Sequence, residues 1–195
     1  MRQSIYDHID KFSLVTLTDG YRLEDFTSHI KEYEIFLTQF SLKHQELNIS
    51  RTYLLINKVN ADVIAYMSLI SDSIKLKQDE RNTYFEEDAS FPSYPAMKIA
   101  KLAVDKNYSE HYKYIGSLMI ELARGIAEDI NESMACRFIT VDADVEHNEQ
   151  VTDFYFKNGF VLNESYKRGR TISMRLNIYS DVEEEGSSLQ TEEIS

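Results

Sequence analysis

The sequence predicts an α+β protein, and three observations carry that reading. Arg51 to Val59 and Val63 to Leu69 are rich in β-formers and flank Asn60-Ala61-Asp62, a hairpin turn signal. Apolar residues at Leu23, Phe26, Ile30, Tyr33, Leu37 and Phe40 recur at helical spacing. The stretch from Ile99 to Phe160 then reads as strand, polar loop, helix, strand, helix. An antiparallel start followed by a βαβα passage needs a mixed sheet flanked by helices.

In chain order, Phe12 to Thr18 alternates moderately and is the first strand, closed by the turn signal Asp19-Gly20. The stripe from Leu23 to Phe40 is shared between two helices that end near Leu47. After the hairpin, Lys77 to Pro95 is polar and acidic, and reads as a loop or a short irregular helix. Lys98 to Val104 is a buried strand. Leu118, Met119, Leu122, Ile126 and Ile130 mark an amphipathic helix, which Gly116 opens. Arg137 to Ala143 is a strand, Gln150 to Asn158 a short helix, and Gly159 stands where a left-handed helix terminator belongs. In Thr171 to Tyr179, Ile172, Met174, Leu176 and Ile178 face one side, and Thr171, Ser173, Arg175 and Asn177 the other.

The bulk properties bound the function. A chain of 195 residues suits one domain with a sizeable core, expected over residues 1–179. Six of its twelve net negative charges fall in residues 180–195, which are too polar to bury anything and are expected to be a disordered acidic tail. An acidic body repels nucleic acid phosphates at long range and attracts cations, amines among them. No apolar run is long enough to span a bilayer, and Met1-Arg2-Gln3-Ser4 lacks the apolar core of a secretory signal. Cys136 is the only cysteine, which rules out an internal disulfide, and a cytoplasmic protein is expected. His8, His29 and His44 lack ligand spacing, so no metal is expected.

The helix that Gly116 opens has no acidic side chain in its first turn, so its unpaired N–H groups are a ready anion site. Within this block the residues resemble the GNAT N-acetyltransferases. Ile99-Ala100-Lys101-Leu102-Ala103-Val104-Asp105 looks like their fourth strand. Ile115-Gly116-Ser117-Leu118-Met119 looks like the end of their pyrophosphate loop and the helix behind it. Arg137 to Ala143 resembles their fifth strand, and Phe154-Tyr155 through Gly159-Phe160 their closing helix and turn. The order and spacing match over Phe12 to Tyr179.

That resemblance implies a sheet splayed between its fourth and fifth strands, with acetyl-CoA as the acyl donor in the gap. It implies backbone contacts from Leu102, Ala103 and Val104 to the pantetheine arm, and amides leading into Ile115, Gly116 and Ser117 for the pyrophosphate. Val104 is the implied donor to the thioester oxygen, Tyr155 the acid that protonates the leaving sulfur, and Asn148 a residue near the pantetheine. The loop departs from the family pattern. His111 replaces the usual Arg or Gln, and Tyr114 replaces the first glycine of His111-Tyr112-Lys113-Tyr114-Ile115-Gly116. Tyrosine gives up glycine's access to positive φ and to close backbone approach. Either the loop takes another path, or cofactor binding is weaker with Lys113 or His111 compensating by a direct phosphate contact.

The general base is not fixed by the sequence. Asp142 and Asp144 end a strand and either act through a water or cap the loop that follows. Asp79, Glu80, Glu86, Glu87 and Asp88 either form an acidic lip for a cationic amine or a solvated loop.

Three functions follow from these residues. The first is acetyl transfer from acetyl-CoA to a primary amine of a small molecule or protein. The second is transfer to aminoacyl-tRNA, because Phe26 through Arg51-Thr52-Tyr53 to Ile64-Ala65-Tyr66 resembles the GNAT branch that includes such toxins. The basic Lys167, Arg168 and Arg170 fit an RNA partner, and the net acidity opposes one. The third is a non-catalytic interaction protein on the same scaffold. No membrane partner is expected, and a homodimer is left open.

Overall fold

A computed structural model describes residues 2–85, 91–168 and 170–179, with the side chains of 164–168 excepted. The expected tail from residue 180 and three members of the expected acidic lip, Glu86, Glu87 and Asp88, lie outside the described residues. The chain forms two compact units, Met1–Ser71 with Lys98–Gly125, and Asp72–Met97 with Ile126–Ser195. Each unit has its own buried cluster.

The elements run β1 (Gln3–Ser4), a 3-10 turn (Ile5–Lys11), β2 (Phe12–Thr16), α1 (Lys31–Ile35), a π-helical turn (Phe36–Phe40) and α2 (Ser41–Glu46). The hairpin β3 (Arg51–Asn57) and β4 (Val63–Ile74) follows, then α3 (Gln78–Tyr84), β5 (Tyr94–Val104), α4 (Lys106–His111) and β6 (Tyr112–Lys113). The chain continues with α5 (Ile115–Asn131), β7 (Phe138–Asp144), α6 (Val151–Lys157), β8 (Val161–Arg168) and β9 (Thr171–Asn177). The α+β class stands.

In the first unit β2, β3 and β4 form an antiparallel meander, Phe12 opposite Asn57 and Arg51 opposite Leu69. The hairpin closes at Asn57, whose carbonyl accepts the Ala61 N–H at 2.8 Å and whose Oδ1 accepts the Val59 N–H at 2.9 Å. The end of β5 lies beside β4, with the Asp105 N–H donating to the Ile64 carbonyl at 2.7 Å. The core gathers Leu17, Leu23, Phe26, Leu37, Leu54, Val63, Tyr66 and Ala103. Phe26 packs edge-on against Tyr66, ring centroids 5.5 Å apart.

One expectation fails here. Leu23 and Phe26 are buried, but the helix starts only at Lys31. Polar side chains divert the backbone. The Thr27 N–H and hydroxyl both donate to Asp105 Oδ2, at 2.8 and 3.0 Å, and the Ser28 N–H donates to Glu34 Oε1 at 2.8 Å. Such local bonds compete with the helical ladder.

In the second unit β7 pairs antiparallel with β9, and β9 with β8. The Arg137 N–H donates to the Pro95 carbonyl at 3.0 Å, which ties the start of β7 to the start of β5. Helix α5 connects β5 to β7 along the chain. Lys77 to Pro95, read as a loop or irregular helix, contains α3. Its end packs an aromatic cluster: Phe85 stacks on Tyr94 at 4.7 Å, and Tyr84 meets Phe138 edge-on at 5.2 Å. The face of β9 that carries Arg175 is not solvated at that residue. Its side chain is 5% exposed and ion-paired to Glu80 at 2.6 Å. Glu80 is thus held by Arg175 across the unit, its side chain 10% exposed. No helix of the described residues is long and apolar enough to cross a membrane.

Candidate functional site

The first unit holds most of the predicted site residues on one continuous piece of chain. Leu102 and Val104 are half-buried on β5, and Ala103 is in the core. The strand ends on Asp105, 3% exposed. Its Oδ1 caps α4 by accepting the Asn107 and Tyr108 N–H groups at 2.9 and 3.1 Å, while Oδ2 holds Thr27. Four donors on one buried carboxylate fix where β5 stops and α4 starts. The sequence reading ended the strand at Val104 and missed this role of Asp105. An Asp followed by a polar run, the pattern of a helix N-cap, was the available signal.

The segment between Asp105 and Gly116, read as a polar loop, is mostly helix α4. Tyr108 fastens it to the hairpin, its hydroxyl donating to Asp62 Oδ2 at 2.9 Å. His111 ends α4, exposed, with Nδ1 2.8 Å from the Asn107 carbonyl. It lines a cavity of about 820 Å³ together with Arg2, Gln3, Asn107, Glu110 and Tyr112. The next two residues, Tyr112 and Lys113, form β6 and pair in parallel with Gln3 and Ser4 of β1.

Tyr114 follows at φ 70°, in the left-handed region. The tyrosine thus keeps the backbone conformation for which the sequence reading expected a glycine. Helix α5 then begins, its Leu118 N–H donating to the Tyr114 carbonyl at 3.0 Å. The N–H groups of Ile115, Gly116 and Ser117 precede that first bond and have no intrahelical acceptor. The first turn carries no acidic residue. Near it, the Tyr6 hydroxyl donates to Glu121 Oε1 at 2.6 Å. Burial, then the bond to Glu121, hold the Tyr6 pKa well above the usual phenol range, so the hydroxyl remains a donor.

The second unit holds Tyr155 and Asn148. Tyr155 lies on α6 and is 8% exposed. The helix ends in a Schellman motif: the Phe160 N–H donates to the Tyr155 carbonyl and the Gly159 N–H to the Phe156 carbonyl, both at 3.0 Å. Gly159 takes φ 81°, as the terminator reading expected. The motif's apolar contact is made by Phe160 and Tyr155 themselves, ring centroids 5.2 Å apart at 65°. Phe154 meets the same ring at 5.0 Å. The turn that ends the helix therefore also sets the orientation of the tyrosine.

Asn148 is exposed, and its Oδ1 accepts the Gln150 N–H at 3.0 Å. Asp144 accepts the His147 N–H at 3.3 Å and stands 2.8 Å from its ring nitrogen. Asp144 thus caps the loop before α6. Arg170 pairs with Glu146 at 2.7 Å, while the side chains of Lys167 and Arg168 lie outside those described. Cys136 is buried, and burial pushes its thiol pKa up, which suits a packed thiol and not a nucleophile. Among the described residues no cluster of His, Cys, Asp or Glu is suited to a metal.

No family model matches the chain. Solved structures do share its fold. A tyrosine-to-phenylalanine mutant of the toxin AtaT, bound to the C-terminus of the antitoxin AtaR and acetyl-CoA, aligns with TM-score 0.67 at 20% identity. The alignment covers 88% of this chain and 96% of that one. AtaT complexed with acetyl-methionyl-tRNAfMet aligns with TM-score 0.73 at 18% identity, over 88% and 97%. A tyrosine-to-phenylalanine mutant of KacT aligns with TM-score 0.74 at 14% identity, over 89% and 98%. The fold of this chain is therefore that of AtaT and KacT.

Proposed function

We propose that this protein is an acetyl-CoA-dependent N-acetyltransferase of the GNAT type, and that its acceptor is the amino group of an aminoacyl-tRNA. The observation that carries the reading is the fold shared with AtaT, a protein solved with acetyl-CoA and with an acetylated aminoacyl-tRNA, over 88% of this chain. The acyl donor fits the residues present. The N–H groups of Ile115, Gly116 and Ser117 offer donors to a pyrophosphate, with no carboxylate in the turn to repel it. Tyr114 preserves the left-handed entry to that turn.

In this reading the backbone of Leu102, Ala103 and Val104 pairs with the pantetheine arm, and Asn148 lies along it. Lys113 or His111 makes a direct contact to the cofactor phosphates. A neutral amine attacks the thioester carbon. The Val104 N–H donates to the carbonyl oxygen as negative charge builds there. The C–S bond breaks, the departing sulfur takes its proton from the Tyr155 hydroxyl, and the proton that the nitrogen sheds on becoming an amide passes through water to restore the phenol. A phenol suits this role because it is protonated at neutral pH and donates well. That AtaT and KacT were both studied as tyrosine-to-phenylalanine mutants is in keeping with a tyrosine of consequence.

The test is acetyl transfer from radiolabelled acetyl-CoA to a panel of aminoacyl-tRNAs, run beside small amines and peptides. Tyr155→Phe is expected to lower turnover by about 100-fold or more with acetyl-CoA affinity nearly unchanged. Full turnover in Tyr155→Phe removes the tyrosine from the mechanism. Absence of saturable acetyl-CoA binding sinks the enzyme reading and leaves the non-catalytic scaffold.

The second reading, acetylation of a small-molecule or protein amine, is favoured by the net charge of −12. That charge repels a polyanion and attracts a cationic amine. Transfer to amines with none to charged tRNA decides for it. A homodimer, if present, would be seen by light scattering.

A further inference from the structure

Among the described residues three non-glycine residues have positive φ: Asn48 at 54°, Ala61 at 60° and Tyr114 at 70°. The first two have local reasons. Asparagine tolerates the left-handed region, and Asn48 follows α2 and accepts a bond from Arg51 at 3.1 Å. Ala61 sits in the tight hairpin that Asn57 closes. Tyr114 has no such reason. It precedes a 17-residue helix at a position that ordinarily takes an extended conformation. Its ring is 53% exposed, so little burial offsets the strain of a left-handed tyrosine.

What surrounds the ring has a chemical character. The Lys113 ammonium lies 5.0 Å from its centroid. Tyr6 stands tilted at 40°, centroids 6.4 Å apart. Tyr6 is itself fixed by its bond to Glu121 and by β1, whose pairing with β6 places Ser4 opposite Lys113. An exposed aromatic ring, braced by a second ring and topped by a cation, offers a planar face and a positive charge to the same ligand. A nucleotide presents the matching groups, a flat base and phosphates.

We propose that Tyr114 and Lys113 form a nucleotide-binding element, the ring stacking on the adenine and the ammonium meeting a phosphate of acetyl-CoA. This rests on the acetyl-CoA reading and assigns a purpose to the residue that departs from the glycine pattern. The strain is then held in place of the glycine because the side chain contributes binding that glycine lacks.

The test compares wild type, Tyr114→Gly and Tyr114→Phe by calorimetry with acetyl-CoA and with S-acetylpantetheine, which lacks the nucleotide. Tyr114→Gly relieves the backbone strain, so its thermal midpoint is expected to be unchanged or raised. It is expected to bind acetyl-CoA about 10- to 100-fold more weakly and S-acetylpantetheine as wild type does. Tyr114→Phe keeps the ring and stays within about threefold of wild type for both. If Tyr114→Gly binds acetyl-CoA as well as wild type or better, the tyrosine is only an obstacle and the proposal is overturned. Equal losses for the two ligands overturn it too. Wild type that binds no acetyl-CoA fails the underlying reading instead, a result visible before any variant is made.

Discussion

Single residues in this chain take on tasks that their side chains alone do not announce. Gly159 lets α6 end in a left-handed turn, and that turn holds the Tyr155 ring against Phe160. A Cβ at position 159 would meet Leu176 Cδ1 at 3.2 Å while the backbone stayed at φ 81°. Gly159→Ala is therefore expected to cost about 1–2 kcal/mol, read from denaturant midpoints. Acetyl transfer should fall as well if the orientation of Tyr155 matters, which separates a positioning effect from stability alone. Cys136 gives a second check. Burial holds its thiol protonated and covered, so native protein is expected to resist an aromatic disulfide reagent and to react at one site only after denaturation. Rapid labelling of the native protein would contradict that placement.

At the scale of elements, α3 is held by a pair that no local pattern exposes. Glu80 on α3 and Arg175 on β9 are 10% and 5% exposed, and Arg175 also donates to the Leu162 carbonyl at 2.6 Å. Removing the acid alone leaves a buried guanidinium with too few partners. Glu80→Ala is expected to destabilise by about 3–5 kcal/mol, and Glu80→Leu with Arg175→Met by clearly less. Equal losses in the two would mean that packing, not charge, holds the helix. The start of α1 depends on Glu34, whose carboxylate accepts from Lys31 and from the Ser28 N–H; both lower its pKa. A depressed folded pKa stabilises above the unfolded value and is lost as pH falls through the folded one. The gap in thermal midpoint between wild type and Glu34→Gln should be present at neutral pH and close as pH falls through the depressed folded pKa of Glu34. The hairpin, α5, β7 and α6 were legible because their signals are local: alternation, a stripe, a terminal glycine. Leu23 and Phe26 misled because burial at helical spacing does not require a helix when Asp105, about eighty residues on, takes the Thr27 N–H. The Arg175–Glu80 pair was not legible because alternation predicts a face, not what a distant element brings to it.

For the molecule as a whole, charge is the property that every proposed partner meets. The acidity was legible at once, and so were the residues resembling a cofactor loop, because composition and short motifs survive in sequence. The conformation of Tyr114 was not, since a left-handed φ at a non-glycine residue leaves no pattern in the sequence. The acidity has a testable consequence for an RNA acceptor. Residues 180–195 carry six of the twelve net negative charges. Their composition is polar and charged, and removing them is expected to leave the thermal midpoint unchanged. The same truncation should speed association with aminoacyl-tRNA by about tenfold at low ionic strength, because long-range repulsion falls with net charge. The advantage should shrink as salt rises, since at about 0.15 M the screening length is already near 8 Å. A truncated protein that meets tRNA no faster in low salt would show that the tail's charge does not oppose the encounter. Failure of both forms to bind tRNA at any salt would exclude an RNA acceptor and leave the small-molecule or protein amine.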